Sequence, residues 1–300
     1  MDTETIIQLG SLFSASISRI IFYPLERVIH IRQGLPQFEY RNVISCLKNM
    51  PREQGGGTQI WRGLAPWFCA TIASRPCAML ANNQVRNISL FQTNQSTPFG
   101  EKLVKSVAAG ATSGGIVIFA LHPLHMASLR LQLDVGGGTL GSRASFKNTK
   151  QVLSQIAKQS GVFSTPFSTS GSVYRGFGGT CAHAILHRGL YFGLYDTFRK
   201  FGGGSLFANF FVGFAVSNTA DFLSYPIKTG TVRAQAAVSP AASVDGVVTT
   251  VHYRGAFHAM ATVAKTEGVT ALWRGYGLML GRSIFGTICL IGYDMLKMER

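Results

Sequence analysis

Apolar and polar positions alternate along this chain in three similar rounds, each a long apolar segment, a short amphipathic one and a second long apolar one. The long segments lie near residues 6–32, 64–92, 102–132, 176–199, 206–235 and 276–297. Each approaches the roughly 20 residues that a helix needs to cross a bilayer. In the short segments, apolar residues recur at helical spacing: Val43, Cys46, Leu47 and Met50 in the first, Val152 and Ile156 in the second. This predicts three amphipathic surface helices over residues 42–54, 148–160 and 256–267. Gly55, Gly161 and Gly268 follow them as helix stops. The links between rounds, near 93–99 and 201–205, are short and polar or glycine-rich. Successive long helices therefore run in opposite directions, with both termini on one side and the short helices on the other. No strand is predicted.

The punctuation repeats with the hydropathy. An aromatic or His precedes a proline at Tyr23-Pro24, His122-Pro123 and Tyr225-Pro226. An aromatic–basic pair follows at Tyr40-Arg41, Phe146-Lys147 and Tyr253-Arg254. Each round closes on Trp61-Arg62-Gly63, Tyr174-Arg175-Gly176 or Trp273-Arg274-Gly275. A period of about a hundred residues marks one supersecondary unit used three times, too small to bury its own apolar face alone. The expected fold is an all-α membrane protein of six transmembrane helices in three pseudo-symmetric repeats, covering 1–97, 98–203 and 204–300. The second repeat carries a longer loop over 162–173 than the corresponding links of its siblings. This reads as a tolerated surface loop, or as a docking element for a partner.

Composition supports a membrane setting. Charged residues make up 14% of the chain and hydrophobic ones 46%, with 34 glycines. Stretches such as Ala108–Gly115 suit close helix contact in lipid. Arg19, Glu26, Arg188, Lys228 and Arg282 interrupt the apolar segments. Ionisable residues at such depth face a bundle interior or a watered cavity. A net charge of +15 is compatible with nucleic acid or anionic lipid. The basic residues cluster in links beyond the apolar segments, which favours lipid head groups and excludes a nucleic-acid polymer. The five cysteines form no CxxC and read as buried free thiols. The first residues, Met1-Asp2-Thr3-Glu4-Thr5, lack the Arg-rich pattern of a cleaved presequence.

These motifs carry a resemblance. Tyr23-Pro24-Leu25-Glu26-Arg27-Val28, Leu133-Asp134-Val135-Gly136 and the run Arg188–Thr197 are similar to sequences of the mitochondrial carrier family, its adenine-nucleotide branch above all. The resemblance implies six tilted helices around a central cavity in the mitochondrial inner membrane, and cardiolipin bound at the repeat junctions. It assigns lipid contacts to Tyr40, Arg41, Trp61, Arg62, Gly63, Phe146, Tyr174, Arg175, Gly176, Tyr253, Arg254, Trp273, Arg274 and Gly275. The tryptophans and adjacent arginines also fit plain interfacial anchors.

The resemblance further implies two rings of ion pairs that open alternately. On the matrix side the acid positions read Glu26, His125 and Lys228, and the base positions Ile29, Ser128 and Thr231. No pairing around that ring is a salt bridge, so this gate is degenerate. On the intermembrane-space side, Asp196 with Lys297 and Asp294 with Arg86 retain complementary charge, and Arg199 completes the motif. Asn83 replaces the third acid. Arg19, Arg188, Arg282 and Ser224 match cavity positions of the family, while one expected arginine falls on Ala70 and the fifth helix lacks the family's arginine–methionine run. Three arginines can hold an anion without specifying a nucleotide.

His183 and His187 share a helix face at i and i+4, and no Glu accompanies them. They read as cavity lining, with no metal site. No nucleophile–base pair stands out, so the chain is expected not to be an enzyme and to need no cofactor. Two functional classes remain. The gate losses favour a structural or accessory subunit of an inner-membrane complex, such as a respiratory one. The alternative is an active exchanger of an anionic solute such as ADP or ATP.

Overall fold

A computed structural model describes residues 20–34, 43–54, 56–88, 99–134, 148–160, 173–198, 206–237, 243–244, 247–248 and 253–284. Nine helices lie among them. Helix α1 covers 20–34; α2 is Val43–Gln54, α3 Leu64–Asn87, α4 Phe99–Leu133, α5 Thr149–Ser160 and α6 Phe177–Phe198. Then come α7, Leu206–Ala236, α8, Ala256–Thr266, and α9 over 276–284. The three short helices α2, α5 and α8 begin and end within a residue of the amphipathic pattern. Their buried faces are Cys46 and Met50, Val152, and Ala256, Ala259 and Val263. Between the short and long helices, 3-10 turns over Gly57–Trp61 and Val269–Trp273 lead into the Arg-Gly dipeptides.

The predicted absence of strands needs one correction. Ser243–Val244 pairs antiparallel with Val247–Val248 to form a two-residue ribbon, β1–β2. The signal was present, because Asp245-Gly246 between β-branched residues is a hairpin sequence. A second correction concerns the cysteines. Cys46 is buried, but Cys69 is exposed and Cys77 and Cys181 are half-buried. Helix α3 turns Cys69 outward on the same side as Ile72, Met79 and Leu80, which are also exposed. An apolar outward face is what a lipid solvent permits.

Of the described helices, residues 108–133 meet the length and hydropathy of a membrane span. Polar residues share the length of the other long helices: His183, His187 and Arg188 in α6; Asp221, Lys228 and Arg233 in α7. Helix α3 packs on α4, α6 on α7, and α7 on α8.

The prolines explain how the repeat motifs are joined. A helical proline has no N–H, so the carbonyl four residues earlier loses its partner. Pro24 orphans the Ile20 carbonyl, and the Trp61 indole N–H donates to that oxygen at 3.0 Å. Pro226 orphans the Phe222 carbonyl, and the Trp273 indole donates to it at 2.9 Å. The second repeat has Tyr174 at this position. Its ring stacks on Phe119, four residues before Pro123, with centroids 4.5 Å apart. The aromatic before each proline makes the reciprocal tie. Tyr23 Oη donates to the Arg62 carbonyl at 3.3 Å, His122 Nε2 to the Arg175 carbonyl at 3.2 Å, and Tyr225 Oη to the Arg274 carbonyl at 3.3 Å. His122 thus does with an imidazole what its two counterparts do with a phenol.

Candidate functional site

Two groups of polar residues lie inside the helix assembly. The first lies at the short-helix end and links the repeats in a ring. The same offset from the helical prolines brings a glutamine in each repeat: Gln33, Gln132 and Gln235. Gln132 Nε2 donates to Tyr23 Oη at 2.8 Å, joining the second repeat to the first. Gln235 Nε2 reaches the Arg175 carbonyl at 3.3 Å, joining third to second. Gln33 Nε2 reaches Thr229 Oγ1 at 3.4 Å, which closes the ring from first to third. Sequence reasoning missed this set, although its fixed offset in all three repeats was legible.

Charge and close backbone contact reinforce the ring. Arg62 pairs with Asp134, Nη2 to Oδ2, at 2.7 Å. Arg27 Nε donates to the Gln132 carbonyl at 3.0 Å and Nη2 to the Asp134 carbonyl at 3.4 Å, while Nη1 contacts the Gln59 carbonyl. Gly63 and Gly275 sit at φ 88° and 91°, in the left-handed region. A β-carbon at Gly63 would stand 2.7 Å from the Ser128 carbonyl oxygen, and one at Gly275 would stand 3.2 Å from Ile29 Cγ2.

The gate positions fall within this region. Of the base positions, Ile29 packs toward Gly275, Ser128 Oγ donates to the Gly63 carbonyl at 2.8 Å, and Thr231 Oγ1 donates back to the Ile227 carbonyl at 2.8 Å. All three serve the walls between or within repeats. Of the acid positions, Lys228 places its ammonium 3.8 Å from Met279 Sδ and 5.7 Å from the Tyr225 ring centre. His125 is exposed and Glu26 half-buried. From α1, α4 and α7, Val28, Ile31, Leu129, Leu133, Val232 and Ala236 form one buried cluster with Cys46 and Met50 of α2. Burial pushes the Cys46 thiol up to about 11, so it packs as an inert hydrophobe.

The second polar group spans α6 and α7. His187 Nε2 lies 3.2 Å from Asp221 Oδ1. His183 stacks on His187 with ring centres 6.0 Å apart and places Nε2 3.4 Å from Ser224 Oγ. Because Ser224 Oγ donates to the Ala220 carbonyl at 2.8 Å, it accepts from His183, which fixes the proton on Nε2. Asp221 was missed by sequence reasoning. Its signal was the helical register it shares with Ser224 and Lys228 in an apolar segment. Among the described residues, no three His, Cys, Asp or Glu side chains converge as metal ligands. Arg188 is exposed and lies against α4 at Gly114, while Arg282 is half-buried on α9.

Of the residues expected to contact lipid, Arg62, Arg175 and Arg274 are engaged with protein groups. Trp61 and Arg254 are exposed. Arg19, Tyr40, Arg41, Phe146, Arg199, Asp294, Lys297, Cys289 and loop residues 162–172 lie outside the described residues, as do the side chains of Arg86, Asp196 and Ile156.

Three repeats of helix, short helix and helix, tied head to tail by one set of contacts, define a class. The family profile described as mitochondrial carrier protein matches residues 100–206 and 202–299, and the chain belongs to that family. It is 25% identical over 295 residues to ADP/ATP translocase 4 of Bos taurus, covering 95% of this chain and 85% of the relative. It is 24% identical over 298 residues to ADP,ATP carrier protein 3 of Saccharomyces cerevisiae, covering 95% and 91%. It is 28% identical over 300 residues to ADP,ATP carrier protein 1, mitochondrial, of Triticum aestivum, covering 95% and 84%.

Proposed function

We propose that this carrier-family chain is a structural or accessory subunit of a mitochondrial inner-membrane complex, with its solute path held shut at the short-helix end. That end would face the matrix and both termini the intermembrane space. The observation that carries the reading is the make-up of the closure. An ionic gate contributes little net stability, because desolvation offsets much of the attraction. Its two states can therefore lie within a few kcal/mol of each other. Here the base positions are Ile29, Ser128 and Thr231, and six apolar side chains from α1, α4 and α7 meet in the closed end. Opening such a cluster exposes hydrocarbon at roughly 25 cal/mol per Å². Losing even a few of those contacts exceeds the ~5.5 kcal/mol that separates a 99:1 from a 1:99 population. Cardiolipin is the lipid this reading assigns to the junctions, where Arg254 is exposed and the backbone amides after Gly63, Gly176 and Gly275 open helices.

A second reading is supported by the exposed Arg188 and the polar pairs on α6 and α7. In it, the cavity binds an anionic solute and exchanges it, as the names of the ADP/ATP relatives suggest for them. One experiment separates the two. Inner membranes are extracted in mild detergent, and the native protein is followed on a native gel by mass spectrometry. Stoichiometric migration with one large complex supports the accessory role. A free species near 32.4 kDa, together with adenine-nucleotide exchange in liposomes that Arg188→Ala abolishes, establishes transport instead.

A further inference from the structure

The third repeat supplies an internal control for the second. In the third, Glu267 stands directly before Gly268, and its Oε2 accepts from two guanidiniums, Arg233 Nη2 at 2.9 Å and Arg274 Nη1 at 3.0 Å. In the second, Arg130 and Arg175 hold the same two register positions, Arg130 after Pro123 as Arg233 after Pro226. The residue before Gly161, however, is Ser160. Both arginines remain, and the carboxylate between them does not. The following loop, 161–172, contains no Asp or Glu.

Arg130 is 1% exposed, on the α4 segment whose Met126, Ala127 and Leu131 pack with Val152 and Val173. Its Nε and Nη2 have no hydrogen-bond partner among the described residues. Those two atoms form one edge of the guanidinium, the edge that offers two parallel N–H bonds to an oxyanion. Arg233, the counterpart in the third repeat, leaves its Nε open but donates Nη2 to Glu267, and two other buried arginines use both atoms of the edge. Arg27 turns it on the carbonyls of Gln132 and Asp134, and Arg175 turns it on those of Ala234, at 2.6 Å, and Tyr253, at 3.1 Å. A buried guanidinium with that edge unsatisfied is costly, and the positive field of Arg175 nearby adds to the demand for negative charge.

We infer that the Nε–Nη2 edge of Arg130 is a binding site for a phosphate-type oxyanion, which takes in the second repeat the place that the Glu267 carboxylate holds in the third. The phosphate comes from free inorganic phosphate or from a lipid head group, and the recognition chemistry is the same. A bidentate hydrogen bond through Nε and Nη2 satisfies the edge, and the anion balances Arg130 and Arg175 together.

The test uses the full chain, purified in detergent and stripped of lipid, with thermal unfolding as the readout. Inorganic phosphate, or vesicles of phosphatidylcholine containing cardiolipin, is added at constant ionic strength. A rise in melting temperature with phosphate alone identifies the free anion, and a rise only with the anionic vesicles identifies the head group. The phosphate response should be lost in Arg130→Gln, and the vesicle response should shrink there to the part that cardiolipin at the repeat junctions supplies. The Ser160→Glu variant supplies its own carboxylate, so it should melt higher than the unmodified chain without any addition, and its responses to both probes should fall to those of Arg130→Gln. A response in Arg130→Gln or Ser160→Glu equal to that of the unmodified chain, or no response of the unmodified chain to either probe, overturns the assignment.

Discussion

Single side chains here act mainly by completing hydrogen bonds that the backbone leaves open. The indoles of Trp61 and Trp273 do so for the carbonyls orphaned by Pro24 and Pro226. Trp273→Phe keeps the ring against Phe222, at 5.4 Å between centroids, and removes only the donor. It should cost about 1–2 kcal/mol, the net hydrogen bond plus an unsatisfied acceptor, seen as a lower melting temperature in detergent. Glu267 is a second case at this scale. Glu267→Gln leaves Arg233, 4% exposed, without its counter-charge and should cost about 3 kcal/mol. A double-mutant cycle with Arg233→Met should recover much of that loss. A variant Arg233→Met/Glu267→Gln as unstable as the sum of its parts would show that the pair is not coupled. The sequence made the Trp-Arg-Gly motifs visible but assigned them only lipid or interfacial roles. Which carbonyl an indole reaches depends on two helices meeting at a fixed height, and no local pattern encodes that.

At the scale of elements, helix boundaries were the most legible feature. The spacing of apolar residues and the glycine stops placed α2, α5 and α8 to within a residue, because the physics of an amphipathic surface helix is local. Contacts between elements were less visible, and glycine shows why. Gly63 and Gly268 both have positive φ, 88° and 92°. A β-carbon at Gly268 meets nothing within 4 Å, whereas one at Gly63 meets the Ser128 carbonyl oxygen at 2.7 Å and Tyr23 Oη at 2.9 Å. Gly268, with ψ 158°, lies where almost only glycine is found, so Gly268→Ala should cost about 1–3 kcal/mol through the backbone alone. Gly63, with ψ -1°, is an ordinary left-handed residue, and Gly63→Ala should cost more than the about 1–2 kcal/mol of that backbone term, because the start of α3 must move away from α4. Thermal unfolding of the two variants checks both values, and a Gly63→Ala loss no larger than the left-handed term would mean that the close approach of α3 to α4 carries no energy.

At the scale of the whole molecule, the three repeats depend on each other. The glutamine ring joins them in order, and the hydrocarbon cluster around Leu133 draws on α1, α4, α7 and α2. Leu133 is fully buried, and Leu133→Ala should cost about 2–5 kcal/mol. On the shut-path reading, the same variant should also increase access of a water-soluble thiol reagent to a cysteine placed at Ile29. Unchanged labelling of such an Ile29→Cys/Leu133→Ala protein would separate stability from closure and weaken the shut-path reading. The matrix-gate positions illustrate what the sequence missed. Their residue types announced a loss of ion pairs, but not that Ile29, Ser128 and Thr231 had become wall contacts.

The sequence by itself determined the threefold repeat, the helical class, the short surface helices and the family, because each rests on spacing or on motifs that recur within one chain. The tertiary structure decided which groups face each other: His187 with Asp221, Arg62 with Asp134, and Arg130 with an unsatisfied edge. The physical reason is one of range. Periodicity and capping act over a few residues, whereas the hydrogen bonds and ion pairs between repeats join positions from 60 residues apart, Gln235 to Arg175, to 196 apart, Gln33 to Thr229, and their geometry is set only when the units pack together.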